Sequence, residues 1–187
     1  ITDVGSSKGE ICNLAAKGLK NFVGGHPLAG KEKSGIENAD GGLFAGKNWF
    51  LCSNGNSAAL NRMKSFIRLL GARPVVVEPE KHDRMLAATS HLPQLVSTLL
   101  AVTVAELLGG KAKSLRAFAG PGFRDTTRLA RSSFSVWGDV FASNRQEVAR
   151  ALEWFAQKTA ELADNFPNLE SVERQFETAN RVARGLK

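Results

Sequence analysis

The feature that most constrains the fold of this chain is a change in its hydrophobic pattern near residue 79. Before that point short β-like runs alternate with helical patterns, and from Pro79 to the end no strand is predicted. Alternating strands and helices are typical of an α/β sheet covered on both faces. The sequence therefore predicts an α/β part over residues 1–79 and an all-α part over residues 80–187.

The predicted elements follow from local spacing and from stop signals such as Gly71. Strands are predicted over residues 1–4, 21–25, 49–52 and 74–78. Helices are predicted over residues 7–20, 56–71, 80–88 and 92–108, with two more around 148–162 and 166–182. The opening residues resemble the interior of a domain and not a signal peptide. We therefore expect this chain to be a piece of a longer protein that lacks its N-terminal part.

The predicted helix over residues 92–108 is apolar almost all round. It is short for a membrane span and contains Pro93 and Glu106. A helix of this kind is a central core helix or a subunit interface. We expect no membrane contact.

The net charge of +7 arises from a basic excess in both halves of the chain. Residues 1–80 hold 10 basic and 7 acidic side chains, and residues 81–187 hold 15 and 11. This even spread argues against a nucleic-acid-binding tail and favours an anionic ligand. Cys12 and Cys52 form no CxxC motif and are expected to be small core residues, which indicates a reducing cytoplasm.

His26 stands between a short predicted strand and a glycine-rich connection, residues 24–46, that holds seven glycines. Pro27 forces His26 into an extended conformation. Ligands bind at the carboxyl ends of strands in such sheets, and an imidazole suits proton transfer near neutral pH. The alternative is a structural histidine bonded to the backbone.

Residues 3–9, DVGSSKG, have the pattern of a strand, a tight turn and a helix start. Ser6 or Ser7 would cap that helix, whose free N–H groups favour an anion. A plain N-cap explains the same residues. Neither a Walker loop nor a GxGxxG fingerprint occurs in the sequence.

Two further groups of residues are candidates for binding. If the segment after Phe123 is helical, Arg124, Arg128 and Arg131 share one face, which could bind a carboxylate or simply face solvent. His82 and His91 are nine residues apart, which on an unbroken helix gives opposite faces. That spacing excludes a metal site made by the pair, and His91 remains either a cleft residue or a core histidine.

Taken together, four segments resemble the prephenate/arogenate dehydrogenase family. Residues 26–35, HPLAGKEKSG, are similar to the family segment HPxAGxExSG, and residues 3–8, DVGSSK, to its DxGSVK turn. Residues 90–93, SHLP, and 123–130, FRDTTRLA, resemble two more of its segments. The order of the four segments also agrees with the family.

The resemblance implies a Rossmann-like nucleotide-binding domain followed by an all-α dimerisation domain. The chain would hold the C-terminal part of the first and all of the second, with the dinucleotide fingerprint upstream. The implied activity is the oxidative decarboxylation of prephenate or arogenate with NAD or NADP as cofactor. The implied partners are a small anionic substrate and a second copy of the chain.

The resemblance also implies roles for individual residues. His26 would accept the hydroxyl proton, and Ser6 would bond the same hydroxyl. Arg128, steadied by Asp125, would pair with the ring carboxylate. Gly5 and Ser6 would contact the cofactor. The remaining expected substrate-site residues are His91, Glu32, Lys31 and Trp137, the last reaching in from a partner subunit.

Two positions depart from the family pattern, since Gln94 stands where many relatives carry a histidine and Ser7 where valine is common. We expect Gln94 to influence substrate preference or pH dependence. An alternative function is a catalytically inactive fragment that acts only as a helical dimerisation module. A weaker alternative is a basic protein that binds nucleic acid.

Overall fold

The computed structural model describes residues 1–30, 35–110 and 116–186. Contacts between residues divide the chain into two compact units, Ile1–Val148 and Ala149–Lys187. The first unit contains a small sheet and the helices around it, and the second is helical. The predicted change from strands to helices near residue 79 agrees with the order of elements, whereas a domain boundary at that point stays a prediction.

The sheet has three strands in the order β1-β2-β3: Val23–Pro27, Asn48–Ser53 and Arg73–Val76. β1 and β2 pair antiparallel, with His26 opposite Phe50, and β2 and β3 pair parallel. The predicted first strand contributes only a single parallel bridge between Thr2 and Val23. The other three strands appear within two residues of the predicted positions.

Helix α2, Ser57–Leu69, covers the sheet and supplies Ile67 to its core. The Asn56 side chain caps it by accepting the Ala59 N–H at 3.0 Å. Gly71 ends it at a φ of +74°, as predicted, because glycine alone adopts that conformation without strain. The core cluster at the sheet consists of Val23, Trp49, Leu51, Ile67 and Ala72.

Helix α1, Gly9–Ala16, is shorter than the predicted helix over residues 7–20. The segment that leads into it packs against β1, and two strand glycines allow this. A Cβ on Gly25 would lie 2.5 Å from the carbonyl oxygen of Asp3, and one on Gly24 would lie 2.7 Å from the Cys12 Sγ. The glycine pair therefore brings the Gly5–Ser6 turn close to the strand that carries His26.

The residues after the sheet form one long helix with a change of geometry in its middle. It consists of α3, Pro79–Leu86, a π-helical turn, Ala87–His91, and α4, Leu92–Leu107. Pro93 follows the π turn directly. Because proline lacks an N–H and its ring crowds the carbonyl four residues earlier, a wider turn at this point relieves the conflict.

Among the described residues, Pro79–Leu107 is the helix long and apolar enough to cross a membrane, and 28% of its most apolar window is buried. Core helices of globular proteins pass the same test. The buried side chains of α4 are Gln94 and Ser97, whereas Leu99, Val102 and Leu107 are exposed. Within the described residues α4 is therefore not a central core helix, and the subunit-interface interpretation stays a prediction.

The remaining described elements are helices. They are α5, Pro121–Thr126, a 3-10 turn, Arg128–Arg131, then α6, Phe134–Ser143, α7, Arg145–Asn165, and α8, Leu169–Arg184. Ser133 caps α6, and Asn168 caps α8. The break at Thr127 separates Arg124 from Arg128 and Arg131. The condition for three arginines on one helical face, a single continuous helix, is therefore not met.

We expect Gly25→Ala to lower the free energy of unfolding by roughly 1–3 kcal/mol, because the new methyl group would overlap the backbone of Asp3. Urea unfolding followed by circular dichroism measures this. Gly18→Ala is the matched control, since nothing lies within 4 Å of a Cβ there, and it should change stability by less than about 0.5 kcal/mol. Equal effects of the two substitutions would contradict the close approach.

Candidate active site

His26 lies in β1 with its side chain buried at 8% exposure. Its Nδ1 is 2.9 Å from Nε2 of His82. Pro27 ends the strand directly after it, and both residues have extended backbone, as the sequence predicts. The imidazole is thus held by a rigid strand on one side and by helix α3 on the other.

His82 and Asp83 stand together on α3, and both are buried. The Nδ1 of His82 is 2.7 Å from Oδ1 of Asp83. The Asp83 carboxylate also accepts the backbone N–H groups of Lys8, at 2.7 Å, and Gly9, at 2.8 Å. It therefore satisfies the first donors of α1 from 75 residues away, and the prediction that Ser6 or Ser7 caps this helix is wrong.

Asp3 organises the turn before α1 in a similar way. Its Oδ1 accepts the Gly25 N–H at 2.9 Å, and its Oδ2 accepts the Gly5 N–H at 2.8 Å. The same carboxylate pairs with the ammonium group of Lys8, whose side chain is fully buried. This ion pair fixes the Gly5–Ser6 turn against the strand that carries His26.

A cavity of about 150 Å³ brings four predicted site residues together: Ser6, His26, His91 and Trp137. The rest of its lining is Leu28, Leu86, Ser90, Val136 and Val140. Polar groups therefore meet at an otherwise apolar cavity, which is the usual composition of a small-molecule site.

His91 ends the π turn and is almost fully buried. Its Nδ1 lies 3.3 Å from the amide nitrogen of Asn144, which also donates to the backbone oxygen of Asp83 at 2.8 Å. Its ring meets the edge of Trp137 at a centroid distance of 6.1 Å. The resemblance assigned Trp137 to a partner subunit's site, whereas the structure places this ring at the cavity of its own chain.

The expectation of opposite faces for His82 and His91 assumed an unbroken α-helix, and that assumption is wrong. The π turn over Ala87–His91 changes the rotation between them, and both imidazoles are buried. Asn144 links the backbone of Asp83 to His91. Within residues 1–30, 35–110 and 116–186, no three His, Cys, Asp or Glu side chains group closely enough to hold a metal ion.

Arg128 and Asp125 are exposed and do not line the 150 Å³ cavity. Arg128 begins the 3-10 turn, which is anchored to α4 by two hydrogen bonds. The Gln94 Nε2 donates to the Leu129 carbonyl at 2.9 Å, and the Ala130 N–H donates to Ser97 Oγ at 3.1 Å. Arg128 is thus held beside the turns of α4 that follow His91.

Gln94, the departure from the family pattern, is buried at 4% exposure. Its Nε2 donates a hydrogen bond to the Leu129 carbonyl, and its Oε1 has no hydrogen-bond partner in the described structure. The residue therefore positions the segment that carries Arg128. Two other predicted site residues, Lys31 and Glu32, lie outside the described residues.

A wider cavity of about 530 Å³ shares Ser6 and Val140 with the smaller one. It contains both residues predicted to contact the cofactor, Gly5 and Ser6. The rest of its lining is Asp3, Ser7, Glu10, Ile11, Leu14, Asp139 and Ser143. Ser6 therefore stands at the border of two cavities, one of which holds His26.

Burial is the main electrostatic influence on the histidines. It lowers the pKa of His26 to about 4, with smaller contributions from the charges of His82 and Lys8. Burial also lowers the pKa of His91. His26 is consequently neutral at pH 7 and has a lone pair that can accept a proton.

Sequence reasoning missed His82 and Asp83 as parts of this site. The available signal was the adjacent pair of a histidine and an aspartate in the first turns of a helix, directly after the last strand. From the sequence, His82 is a candidate only for a metal site shared with His91. Its partner, His26, is 56 residues away, so local spacing could not join them.

Comparison with known proteins gives one family. Residues 1–76 match the family model described as "Prephenate dehydrogenase, nucleotide-binding domain", and residues 78–178 match "Prephenate dehydrogenase, dimerization domain". The chain is 32% identical to prephenate dehydrogenase of Bacillus subtilis. The aligned region covers all of this chain and 52% of that protein. It thus spans about half the length of the curated relatives it matches.

Two solved structures have the same fold. Arogenate dehydrogenase of Synechocystis superposes with a TM-score of 0.88 at 27% identity, over 100% of this chain and 69% of that one. Prephenate dehydrogenase of Aquifex aeolicus, in complex with hydroxyphenyl propionate and NAD+, superposes with a TM-score of 0.81 at 32% identity. That match covers 98% of this chain and 65% of the other.

We expect the free energy of unfolding to fall as the pH drops from 6.5 to 4. A histidine whose pKa is about 4 when folded and 6.5 when unfolded binds its proton preferentially in the unfolded state. The full effect of His26 is about 3 kcal/mol, lost by pH 4. The fold also lowers the pKa of Asp83. Protonation of Asp83 in the unfolded state therefore lowers the free energy of unfolding as well, but only below its ordinary pKa of 3.8.

The measurement is urea unfolding at a series of pH values, for the unaltered chain and for His26→Gln. The variant should show a shallower decline between pH 6.5 and 4. Ile67→Ala removes core packing without removing a titrating group, so its decline should keep the original slope. A His26→Gln curve parallel to that of the unaltered chain would contradict the assignment.

Proposed function

The chain belongs to the prephenate dehydrogenase family, and from this premise we propose that it forms the substrate-side half of an NAD(P)-dependent dehydrogenase. The proposed reaction is the oxidative decarboxylation of prephenate or arogenate. The observation that carries the proposal is the cavity at which Ser6, His26 and His91 meet. Matches to both the nucleotide-binding and the dimerization models favour an enzyme over an inactive dimerisation module.

His26 is the proposed proton acceptor. Oxidation of the substrate alcohol requires that the hydroxyl proton leave as the carbonyl forms, so a neutral base must stand beside the hydroxyl. The lowered pKa of His26 keeps its imidazole neutral at physiological pH. The Ser6 hydroxyl lines the same cavity, and its proposed role is to hydrogen-bond the reacting oxygen.

The wider cavity is the proposed place of the nicotinamide end of the cofactor. Its volume of about 530 Å³ lies within the range of small-molecule sites. Glu10 and Asp139 line it, and carboxylates suit a positively charged oxidised nicotinamide ring better than they suit phosphates. Gly5 and Ser6 would contact the ring. When bound, NAD(P) supplies the acceptor for the hydride that leaves the carbon bearing the hydroxyl.

The proton that His26 takes is needed again before the reaction ends. Loss of CO2 from the quaternary carbon opposite the carbonyl carbon in the ring leaves an electron pair that makes the ring aromatic and gives the oxygen a negative charge. The protonated Nε2 of His26 then returns its proton to that oxygen. His26 thus acts first as base and then as acid, and the imidazole ends neutral as it began.

Arg128 is the proposed partner of the substrate's ring carboxylate, with Asp125 nearby in sequence to orient it. A guanidinium group binds carboxylates through paired hydrogen bonds. Support for this role comes from the anchoring of its segment to α4 beside the turns that follow His91. Lys31 and Glu32 stay proposed substrate-binding residues.

We propose that the chain acts as a homodimer in the cytoplasm. The family model that matches residues 78–178 is described as a dimerization domain. In the second unit, Leu169 and Phe176 of α8 are exposed, and residues seven apart share one helical face. Exposed apolar residues on one face are the usual mark of a protein interface.

We expect His26→Asn to lower kcat for prephenate by roughly 10²- to 10⁴-fold with little change in KM, because the proton acceptor is lost. NADH formation by the full-length protein, of which this chain is the proposed substrate-side half, is followed by absorbance and measures this. Leu69→Ala, exposed on α2, is the control and should leave turnover unchanged. Unchanged turnover in His26→Asn would refute the catalytic role.

We expect Arg128→Ala to weaken the binding of prephenate by at least about tenfold, through the loss of a charge-assisted hydrogen bond. Isothermal titration with the full chain measures the dissociation constant without requiring turnover. Arg131→Ala, on the same 3-10 turn and with the same charge, should bind nearly as well as the unaltered chain. Equal dissociation constants for the two variants would count against the carboxylate role.

We expect Phe176→Asp to shift the chain from dimer toward monomer, because it puts a charge into an apolar interface. Sedimentation velocity over a range of concentrations measures the shift. Glu177→Gln, the neighbouring position on α8, is the control and should leave the association state unchanged. A monomeric unaltered chain would disprove the proposed dimer.

A further inference from the structure

We infer that His82 and Asp83 are positioning residues that hold His26 in the tautomer whose Nε2 accepts the substrate proton. This inference deepens the proposed function and rests on it. The three side chains form an unbroken line of hydrogen bonds from β1 to α3. All three are buried, so water competes little for these bonds.

The direction of each bond follows from the carboxylate end. Ionised Asp83 can only accept, and it already accepts two backbone N–H groups from the start of α1. The Nδ1 of His82, 2.7 Å from Oδ1, must therefore carry the hydrogen. In neutral His82 the other nitrogen, Nε2, is then bare and can only accept.

The same logic fixes the proton on His26. Because Nε2 of His82 accepts, Nδ1 of His26, 2.9 Å away, must donate. The remaining nitrogen of His26, Nε2, is left with a lone pair. A histidine without such a partner favours the opposite tautomer, with hydrogen on Nε2, and would present the substrate hydroxyl with a donor instead of an acceptor.

Asp83 must remain ionised for this arrangement to hold, and its surroundings achieve that. Burial alone raises the pKa of Asp83, but the hydrogen bonds from His82 and from the N–H groups of Gly9 and Lys8 outweigh it and lower the pKa overall. The carboxylate also faces the N-terminus of α1, where the helix dipole favours negative charge.

The other charged groups around His26 do not supply a competing acceptor. Lys8 disfavours a positive charge on His26, as does His91 when protonated, and Asp3 favours it. Asp3 is itself paired with Lys8 and bonded to the N–H groups of Gly5 and Gly25. The acceptor that faces Nδ1 of His26 is thus His82, oriented by Asp83.

Proton uptake leaves the line of bonds intact. When Nε2 of His26 gains the hydroxyl proton, Nδ1 still donates to His82, and His82 still donates to Asp83. No side chain has to turn, and the carboxylate stabilises the new positive charge through the imidazole of His82, which lies between them. The pair therefore serves both the proton acceptance and the later proton return.

Imidazole nitrogen NMR of the full chain, labelled at histidine with ¹⁵N, tests the tautomer directly at pH 7. We expect His26 to carry hydrogen on Nδ1 and to have a bare Nε2. In His82→Phe the acceptor is lost, and His26 should change to the tautomer with hydrogen on Nε2. In His82→Gln the amide oxygen can accept from Nδ1, so the original tautomer should be retained.

Turnover of prephenate adds a readout that a merely structural role would not produce. We expect His82→Phe to lower kcat by roughly 10²-fold or more with KM changed by less than about threefold, as for a base held in the wrong tautomer. His82→Gln should recover at least tenfold of that loss. Asp83→Asn should lower kcat in the same way, and Ile67→Ala, a destabilising core variant, should change neither tautomer nor kcat.

Failure of this inference is distinguishable from failure of the proposed function. Hydrogen on Nε2 of His26 in the unaltered chain would overturn the inference, whatever the activity. An unchanged tautomer in His82→Phe would overturn it as well, even if that variant were less stable. If the unaltered full-length protein neither binds nor converts prephenate while the tautomers change as expected, the positioning pair is supported and the proposed reaction is disproved.

Discussion

The structure around the candidate site depends on one carboxylate, that of Asp83. It accepts the N–H groups of Lys8 and Gly9, which start α1, and it bonds His82, which in turn holds His26. A buried carboxylate with fewer partners would cost several kcal/mol or would bind a proton. The partners of Asp83 keep it charged, and its charge links the turn before α1, strand β1 and helix α3 in one network. The residues proposed to contact the substrate and the residues that build the fold are therefore supported by the same bonds.

Local rules predicted the parts of this site that depend on neighbours in sequence. Pro27 restricts His26 to extended backbone, and Gly71 ends α2 with positive φ, as the sequence indicated. The cap of α1 could not be predicted in this way, because its acceptor is 75 residues away and a nearer serine offered a simpler solution. The prediction that His82 and His91 lie on opposite helical faces failed for a different reason. The π turn before Pro93 changes the rotation per residue on which that prediction depended. Family resemblance joined residues of distant segments that spacing alone could not join.

The glycine pair of β1 connects these contacts to function. Side chains at positions 24 and 25 would collide with Cys12 and with the backbone of Asp3, so only glycine lets the turn before α1 approach the strand. That approach brings Ser6 to the wall that separates the two cavities, within the lining of both. In the proposed reaction, a hydroxyl at this border would bond the reacting oxygen while the neighbouring cavity would hold the hydride acceptor. The requirement for close backbone contact thus explains why the residues before the proposed base have no side chains.

Charge is divided over the site in the way that the proposed reaction requires. Carboxylates line the wider cavity, the neutral imidazole of His26 lies at the smaller one, and Arg128 is held beyond it by the anchoring of its segment to α4. A dianionic substrate approaching this arrangement would be repelled by Glu10 and Asp139 and attracted by Arg128, so its carboxylate and its hydroxyl would be directed to different ends. Gln94 contributes to this orientation although it bears no charge, because its amide fixes the backbone beside Arg128. Its buried Oε1 has no hydrogen-bond partner within the described residues, so the anchor of Arg128 keeps one acceptor unsatisfied.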